Sequence, residues 1–434
     1  MQEAGGGARI DGGRLSVATA GSERSGYRYL VVAVLALVYS LNFLDRQLLS
    51  ILAEPVKADL GLSDTQLGLL TGFMFAIFYT AFGIPVAFLA DRYRRVWIVS
   101  GACALWSLFS AACGLAQSFT QLALARMGVG IGEAGGSPPS YSIIADYFPP
   151  QQRGTALAFY SLGVPIGTTA GAALGGWIAA THGWRTAFLA IGLPGLVVAL
   201  VVLLTVREPA RGQMDKALPA PQPIGLIIRA FLRDRTLVLV SLSSGASAFV
   251  AYGMISWMPA FLMRSKGMLL TDLALYYSLA TGAAAAVGTL AGGYLVDRLG
   301  ARDPRMYALV PAAGFAVALP FYMLAVAVSD WRVSIALIAV PFALYSTYLP
   351  AALAVVQNRV NPAGRSTASA NLLFVLNIIG LGGGPLYVGM VSDASTAAGT
   401  GGLATGLWAL APVFAIAALA HLAAARSLRN PVGS

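Results

Sequence analysis

Four charged residues sit inside stretches that are otherwise apolar: Asp45 and Arg46 in the first stretch, Arg126 and Glu133 in the fourth. An ionisable group in hydrocarbon is costly unless it faces a partner or a wet cavity, so two acids and two arginines placed this way read as a functional cluster. Asp45 can pair with Arg126 or with its neighbour Arg46. Glu133 has no basic residue near it in the sequence and is surrounded by Gly128, Gly130, Gly132, Gly135 and Gly136, a setting that suits a proton carrier. The acids are the members able to change charge, because a guanidinium keeps its proton. The quartet also fits two other readings: a static ion network pinning two helices together, or a headgroup site in which Arg46 and Arg126 hold an anion.

Helix geometry sets the depth of these groups. Asp45, Arg46 and Arg126 fall at one level, about 9 to 12 Å from one membrane face, and Glu133 lies about 10 Å deeper on the same helix face as Arg126. The elements that must carry them follow from composition, since 57% apolar and 11% charged residues over 434 positions describe a chain that lives in lipid. Twelve apolar stretches are each long enough to cross a hydrocarbon core of about 30 Å. They cover residues 29–53, 66–90, 96–117, 120–148, 155–180, 186–206, 236–263, 272–296, 306–328, 332–356, 366–392 and 401–425. The expected fold class is an all-α integral membrane protein with twelve transmembrane helices in two six-helix bundles.

With loops alternating from the N-terminus, 21 of the 28 Lys and Arg fall on the N-terminal side and five on the other, namely Lys57, Arg185, Arg264, Lys266 and Arg332. This asymmetry predicts both termini in the cytoplasm and insertion in the inner (plasma) membrane. The net charge of +10 is then topological, and no basic soluble domain exists to hold nucleic acid. Residues 1–26 are rich in Gly, Ser and Ala and lack the apolar core of a signal peptide, so they are expected to form a disordered cytoplasmic tail. Cys103 and Cys113 lie ten residues apart on one helix, about 15 Å, too far for a disulfide and too few for a metal site.

The polar, proline-rich stretch 207–235 divides the chain into an N-terminal bundle (27–206) and a C-terminal bundle (236–427), with a short tail at 428–434. The halves repeat each other. Ala87-Phe-Leu-Ala-Asp91-Arg92 recurs as Gly293-Tyr-Leu-Val-Asp297-Arg298, and Pro150-Gln-Gln-Arg153-Gly-Thr-Ala recurs as Pro362-Ala-Gly-Arg365-Ser-Thr-Ala. The loop pattern formed by Gly293, Leu295, Asp297, Arg298, Gly300 and Arg302, together with Arg126-x-x-x-Gly130-x-Gly132 and Gly380-x-x-x-Gly384-Pro385, resembles the major facilitator superfamily over essentially all of the twelve stretches. The first-half loop departs from the pattern, with Ala87 and Arg94 where glycines are expected. Asn42-Phe-Leu-Asp45-Arg46, Asp91-Arg92-Tyr93, Gly130-Ile-Gly132-Glu133-Ala134, Ala145-Asp146 and Arg207-Glu208-Pro209 are similar to Spinster-type transporters within that superfamily.

This resemblance implies a proton-coupled secondary transporter working by alternating access, a functional monomer that exports a lysophospholipid or sphingoid phosphate. Under it Asp45 and Glu133 carry protons, Arg46 and Arg126 serve as charge partners or headgroup ligands, and Asp91, Arg92, Arg153, Asp297, Arg298 and Arg365 form a cytoplasmic gate. The arginines of that gate also fit a purely topological role, which does not extend to the two aspartates, because acids contribute little to orientation. Candidate substrate contacts are Tyr252, Tyr345 and Asn371, with hydroxyls at Ser243, Ser244, Ser247, Ser346, Thr347 and Tyr348. Proton-linked uptake of a small organic anion and multidrug efflux are the alternatives. No organic cofactor or metal is expected, only protons as the coupling ion, with a small amphiphile and membrane lipid as partners. A phosphate-binding Gly-x-x-x-x-Gly-Lys-Ser/Thr loop is absent from the sequence, which excludes ATP-driven transport within this chain. His182 and His421 are expected near opposite faces, and no recognisable motif places a Cys or Ser near either, which argues against an embedded enzyme. Pro138 and Pro139 must break or kink the fourth helix.

Overall fold

The computed structural model describes residues 12–214, 224–360 and 364–428, and within these the chain folds into helices without a strand. Eleven helices are long and apolar enough to cross a membrane: α1 (Gly26–Ile51), α2 (Asp64–Ala90), α3 (Arg95–Cys113), α5 (Thr155–His182), α6 (Trp184–Thr205), α7 (Arg235–Lys266), α8 (Leu270–Gly300), α9 (Met306–Ala327), α10 (Trp331–Arg359), α11 (Thr367–Ala397) and α12 (Leu403–Ser427). The twelfth, α4, is split into Phe119–Glu133 and Ser137–Tyr147. Pro138 and Pro139 lie in the first turn of the second piece, where their missing N–H groups leave no helical bond unmade. The helix carrying α1 begins at Gly12, within the stretch expected to be a disordered tail.

Local sequence sets where the helices stop. Gly61, Gly183 and Gly267 take positive φ of 63°, 83° and 66° at the turns before α2, α6 and α8, a conformation that costs other residues a clash. Ser63 starts α2 with a capping box, accepting from Gln66 N while the Gln66 side chain accepts from Ser63 N. Twelve crossings bring both ends of the described chain to one face, the linker face, where the α2–α3, α6–α7 and α8–α9 connections also lie. The opposite face is called the far face.

Each half is built around a glycine-mediated helix pair. On α5, a Cβ at Gly163 would stand 2.9 Å from Ala36 O of α1, and one at Gly167 or Gly171 would strike the Ser40 or Leu44 carbonyl. The equivalent pair in the second half is α7 with α11, where a Cβ at Gly384 would strike Phe249 O. The glycines of α4 do the same work: Gly130 lies against Phe75 O of α2 at 2.9 Å and Gly132 against Trp106 N of α3 at 2.6 Å from the Cβ each lacks. Gly167→Val forces a β-branched side chain into α1 in every state of the molecule. Overpacking costs about 1 to 3 kcal/mol, so the variant is expected to melt at a lower temperature in detergent than the wild type.

The two halves meet near the far face. Extensive packing between them joins α2 to α11, α5 to α8 and the far end of α1 to α7, while among the described residues no comparable packing joins them at the linker face. Three π-helical turns, Leu69–Phe73 of α2, Leu273–Tyr277 of α8 and Leu376–Gly382 of α11, all lie on these seams. Such turns re-aim side chains without ending a helix.

Candidate functional site at the meeting of the two halves

The first and fourth helices bring the charged quartet together as two pairs. Arg126 Nη1 lies 3.1 Å from Asp45 Oδ2, and Arg46 Nε lies 2.6 Å from Glu133 Oε2. Ser110 of α3 also donates to Asp45. The second pair is the one that sequence spacing did not give. Glu133 lacks a basic neighbour along the chain, yet the long Arg46 side chain bridges the axial offset that separates the two residues. Asp45, Arg126 and Glu133 are buried, whereas the Arg46 side chain keeps 17% of its exposure. Arg126 Nε and Glu133 Oε1 have no hydrogen-bond partner.

Aromatic rings complete the surroundings of the arginines. The Arg46 guanidinium lies 5.1 Å from the centre of Phe43, 4.8 Å from Phe75 and 4.8 Å from Tyr79, and Arg126 lies 5.4 Å from the same Phe75 ring. These contacts hold a cation against quadrupole faces in place of water. Arg46 lies on α1 next to Gln47, at the edge of the space between the bundles. Beside Gln47, a cavity with about 50 Å³ of free volume is lined from both halves by Thr168, Thr281 and Tyr345. It holds a few waters at most.

The remaining candidate contacts divide. Tyr252, Tyr345 and Asn371 are half-buried, and Asn371 Nδ2 has no partner. Ser243, Ser244 and Ser247 are fully buried inside the second half. Ser247 Oγ lies 2.8 Å from His421 Nε2, a pairing across 174 positions that no sequence motif marked. The pair lacks a described carboxylate to orient the ring, and His421 stacks on Phe315 at 6.2 Å, so it serves as packing. Cys103 and Cys113 are both free and buried.

At the linker face the described contacts of four gate residues fall within their own halves. Arg92 lies 3.9 Å from the Phe88 ring centre, Arg298 Nη1 donates to Tyr294 Oη at 3.1 Å, Arg153 Nε donates to Ala145 O at 3.0 Å, and Arg365 Nε donates to Val360 O at 3.4 Å. Asp297 is exposed, and the side chain of Asp91 lies outside the described residues. Nearby, Arg95 binds Asp146 at 2.5 Å, Glu208 Oε1 at 2.7 Å and Pro209 O at 2.9 Å. This straps the start of the linker across the ends of α3 and α4.

The far face carries a polar clasp that the sequence did not reveal. Arg264 of α7 pairs with Glu54 at 2.5 Å and Asp64 at 2.7 Å, both in the other half. Asp393 of α11 accepts from Asp64 N at 2.9 Å and Thr65 N at 2.7 Å, which places an anion on the free N–H groups at the start of α2. Ser392 donates to Asp64 Oδ2 at 2.5 Å, and Lys57 pairs with Asp64 Oδ1 at 2.5 Å. The molecule is therefore held shut at the far face and open at the linker face.

A two-bundle architecture around a central charged site belongs to many transporters, and comparison with known proteins decides among them. The sequence profile of the Major Facilitator Superfamily matches residues 35–383. The chain belongs to the major facilitator superfamily. As a member of it, the protein is a multi-pass membrane transporter and not an enzyme. It is 39% identical over 380 residues, 86% of this chain and 87% of the relative, to an MFS-type efflux pump of Mycolicibacterium smegmatis. It is 30% identical over 387 residues, 84% of this chain and 73% of the relative, to the human protein spinster homolog 1. Among solved structures, a bacterial homolog of the human lysosomal transporter Spinster, in an inward-facing and unoccupied conformation, matches with a TM-score of 0.86 and 33% identity over 94% of this chain and 99% of that one. The transporter is thus Spinster-like, and the resemblance read from Asp45-Arg46 and Gly132-Glu133 extends to the whole fold.

Proposed function

We propose that this transporter is a proton-coupled exporter of a lipid-like amphiphile of the lysophospholipid or sphingoid phosphate class, with both termini in the cytoplasm and Asp45 and Glu133 as the proton carriers. One observation carries the reading: of the four charged residues, Arg46 alone is partly exposed, it lies at the edge of the space between the halves, and its partner Glu133 is fully buried with one oxygen unpartnered. A phosphate arriving from the open linker face competes with Glu133 for Arg46. Loss of the guanidinium leaves a buried carboxylate without a counter-charge, and protonation relieves the penalty of that state. Substrate occupancy and proton uptake are linked through a single guanidinium. The half-buried rings of Phe43 and Tyr79 beside it offer apolar surface to the start of an acyl chain, which supports an amphiphile over a sugar or a simple acid.

One relative, named an efflux pump, supports the direction. A small organic anion remains the competing reading because Arg46 and Arg126 would also hold a carboxylate. Reconstituted protein given labelled lysophosphatidylcholine or labelled glucuronate separates the two. Movement of the lysolipid with glucuronate inert is the expected result; glucuronate transport with inert lipid overturns the substrate class.

A further inference from the structure

The linker carries a short helix, Ile224–Arg233, which packs on the starts of α7 and α11 and belongs to neither bundle's core. Most of its residues fall into three parallel stripes at helical spacing, and Leu226, 61% exposed, lies apart from them beyond the arginines. Ile227 and Phe231 are buried against the second half, with Ile227 lying 3.4 Å from the Cβ that Gly364 lacks. Ile224, Ile228 and Leu232 form the next stripe and are uncovered, at 63%, 36% and 65% exposure. Arg229 and Arg233 form the third and are exposed. At 100° per residue these stripes follow one another around the helix, so the exposed apolar one lies between the protein and the arginines.

Neighbouring charge does not neutralise the basic stripe. Asp234, the one acid beside the helix among the described residues, is occupied by Arg359 at 3.0 Å and by the N–H groups of Thr236 and Leu237 at the start of α7. Among the described residues no carboxylate pairs with Arg229, Arg233 or Arg235. Only Asp234 separates the helix from α7, which is long and apolar enough to cross a membrane, so an interfacial position follows from the sequence order. A hydrocarbon stripe beside unpaired arginines at that depth matches an acyl layer topped by negative headgroups.

We infer that the Ile224–Arg233 helix is a docking surface for anionic phospholipid, with Ile224, Ile228 and Leu232 in the acyl region and Arg229 and Arg233 on the headgroup phosphates. The surface anchors the second half, through the starts of α7 and α11, to the leaflet at the linker face. It is separate from the central site and does not depend on what is transported. Each basic group at such a surface contributes about fivefold in affinity, the equivalent of about 1 kcal/mol.

The test uses the full chain in neutral detergent, with an environment-sensitive thiol label on Leu232→Cys; Cys103 and Cys113 are buried and serve as the unlabelled background. Dioctanoyl phosphatidylglycerol is expected to shift the label saturably, at least tenfold tighter than dioctanoyl phosphatidylcholine and less tightly at high salt. Arg229→Gln combined with Arg233→Gln is expected to weaken it by roughly twentyfold. Arg302→Gln, an exposed arginine on the same face, is expected to leave it unchanged. Equal response to the two lipids overturns the proposal. So does binding that survives the double substitution, which would place the lipid in the central site, or an equal loss in Arg302→Gln, which would make the attraction generic.

Discussion

Gly72→Val and Gly389→Val are expected to give folded, thermally stable protein that no longer transports. Both glycines lie on the α2–α11 seam: a Cβ at Gly72 would stand 2.5 Å from Leu381 O, and one at Gly389 would strike Asp64 O. The nearest opposing atoms belong to the other half, so a larger side chain obstructs chiefly the state in which the far face is closed; at Gly389 the ring of Trp257, from the same half, also stands 3.1 Å away, which makes Gly72 the cleaner wedge. At about 1 to 3 kcal/mol per overpacked side chain, each wedge shifts the balance between states by roughly 5- to 150-fold toward far-face opening. Spin labels on Tyr93→Cys and Leu295→Cys, two exposed linker-face positions in opposite halves, should then sit closer together than in the wild-type background. Gly167→Val makes the contrast, because its clash lies within one half and persists in every state. If the wedge variants melt early and leave the label distance unchanged, the seam is a static interface.

The second large effect separates the two acids. Asp45→Asn leaves Arg126, which is 1% exposed, as a buried cation without a counter-charge, a change that costs about 3 to 5 kcal/mol. Glu133→Gln leaves Arg46, which retains access to the inter-half space and three aromatic faces. Asp45→Asn is therefore expected to melt markedly earlier and Glu133→Gln close to wild type, although both lose proton-linked transport. Equal thermal stability of the two variants, read by melting in detergent, would mean that Arg126 finds water or another partner.

The quartet was legible in the sequence because a charge in an apolar run stands out by composition alone, and the repeated Asp-Arg loops gave the two halves. The split in α4 was legible from Pro138 and Pro139. The Arg46–Glu133 pairing was not, because depth along a helix axis ignores the reach of an arginine side chain. The far-face clasp escaped for a different reason. Lys57 and Arg264 sit at span ends, where a topological role accounts for a basic residue, and Asp64 meets Asp393 from 329 positions away. Of the six gate residues, Arg92, Arg298 and Arg365 have described contacts only within their own halves. The π-helical turns on the seams leave no trace in hydrophobic periodicity, since an inserted residue changes register without changing composition.

Proton coupling through the pair formed by Arg46 and Glu133 is the central claim, and Glu133→Gln tests it in a protein expected to remain folded. Proteoliposomes loaded with labelled lysophosphatidylcholine are given a pH gradient or none, and the wild type is compared with the variant. Gradient-dependent lipid movement in the wild type that disappears in Glu133→Gln is the predicted result. Movement that responds equally to the gradient in both proteins would contradict the account.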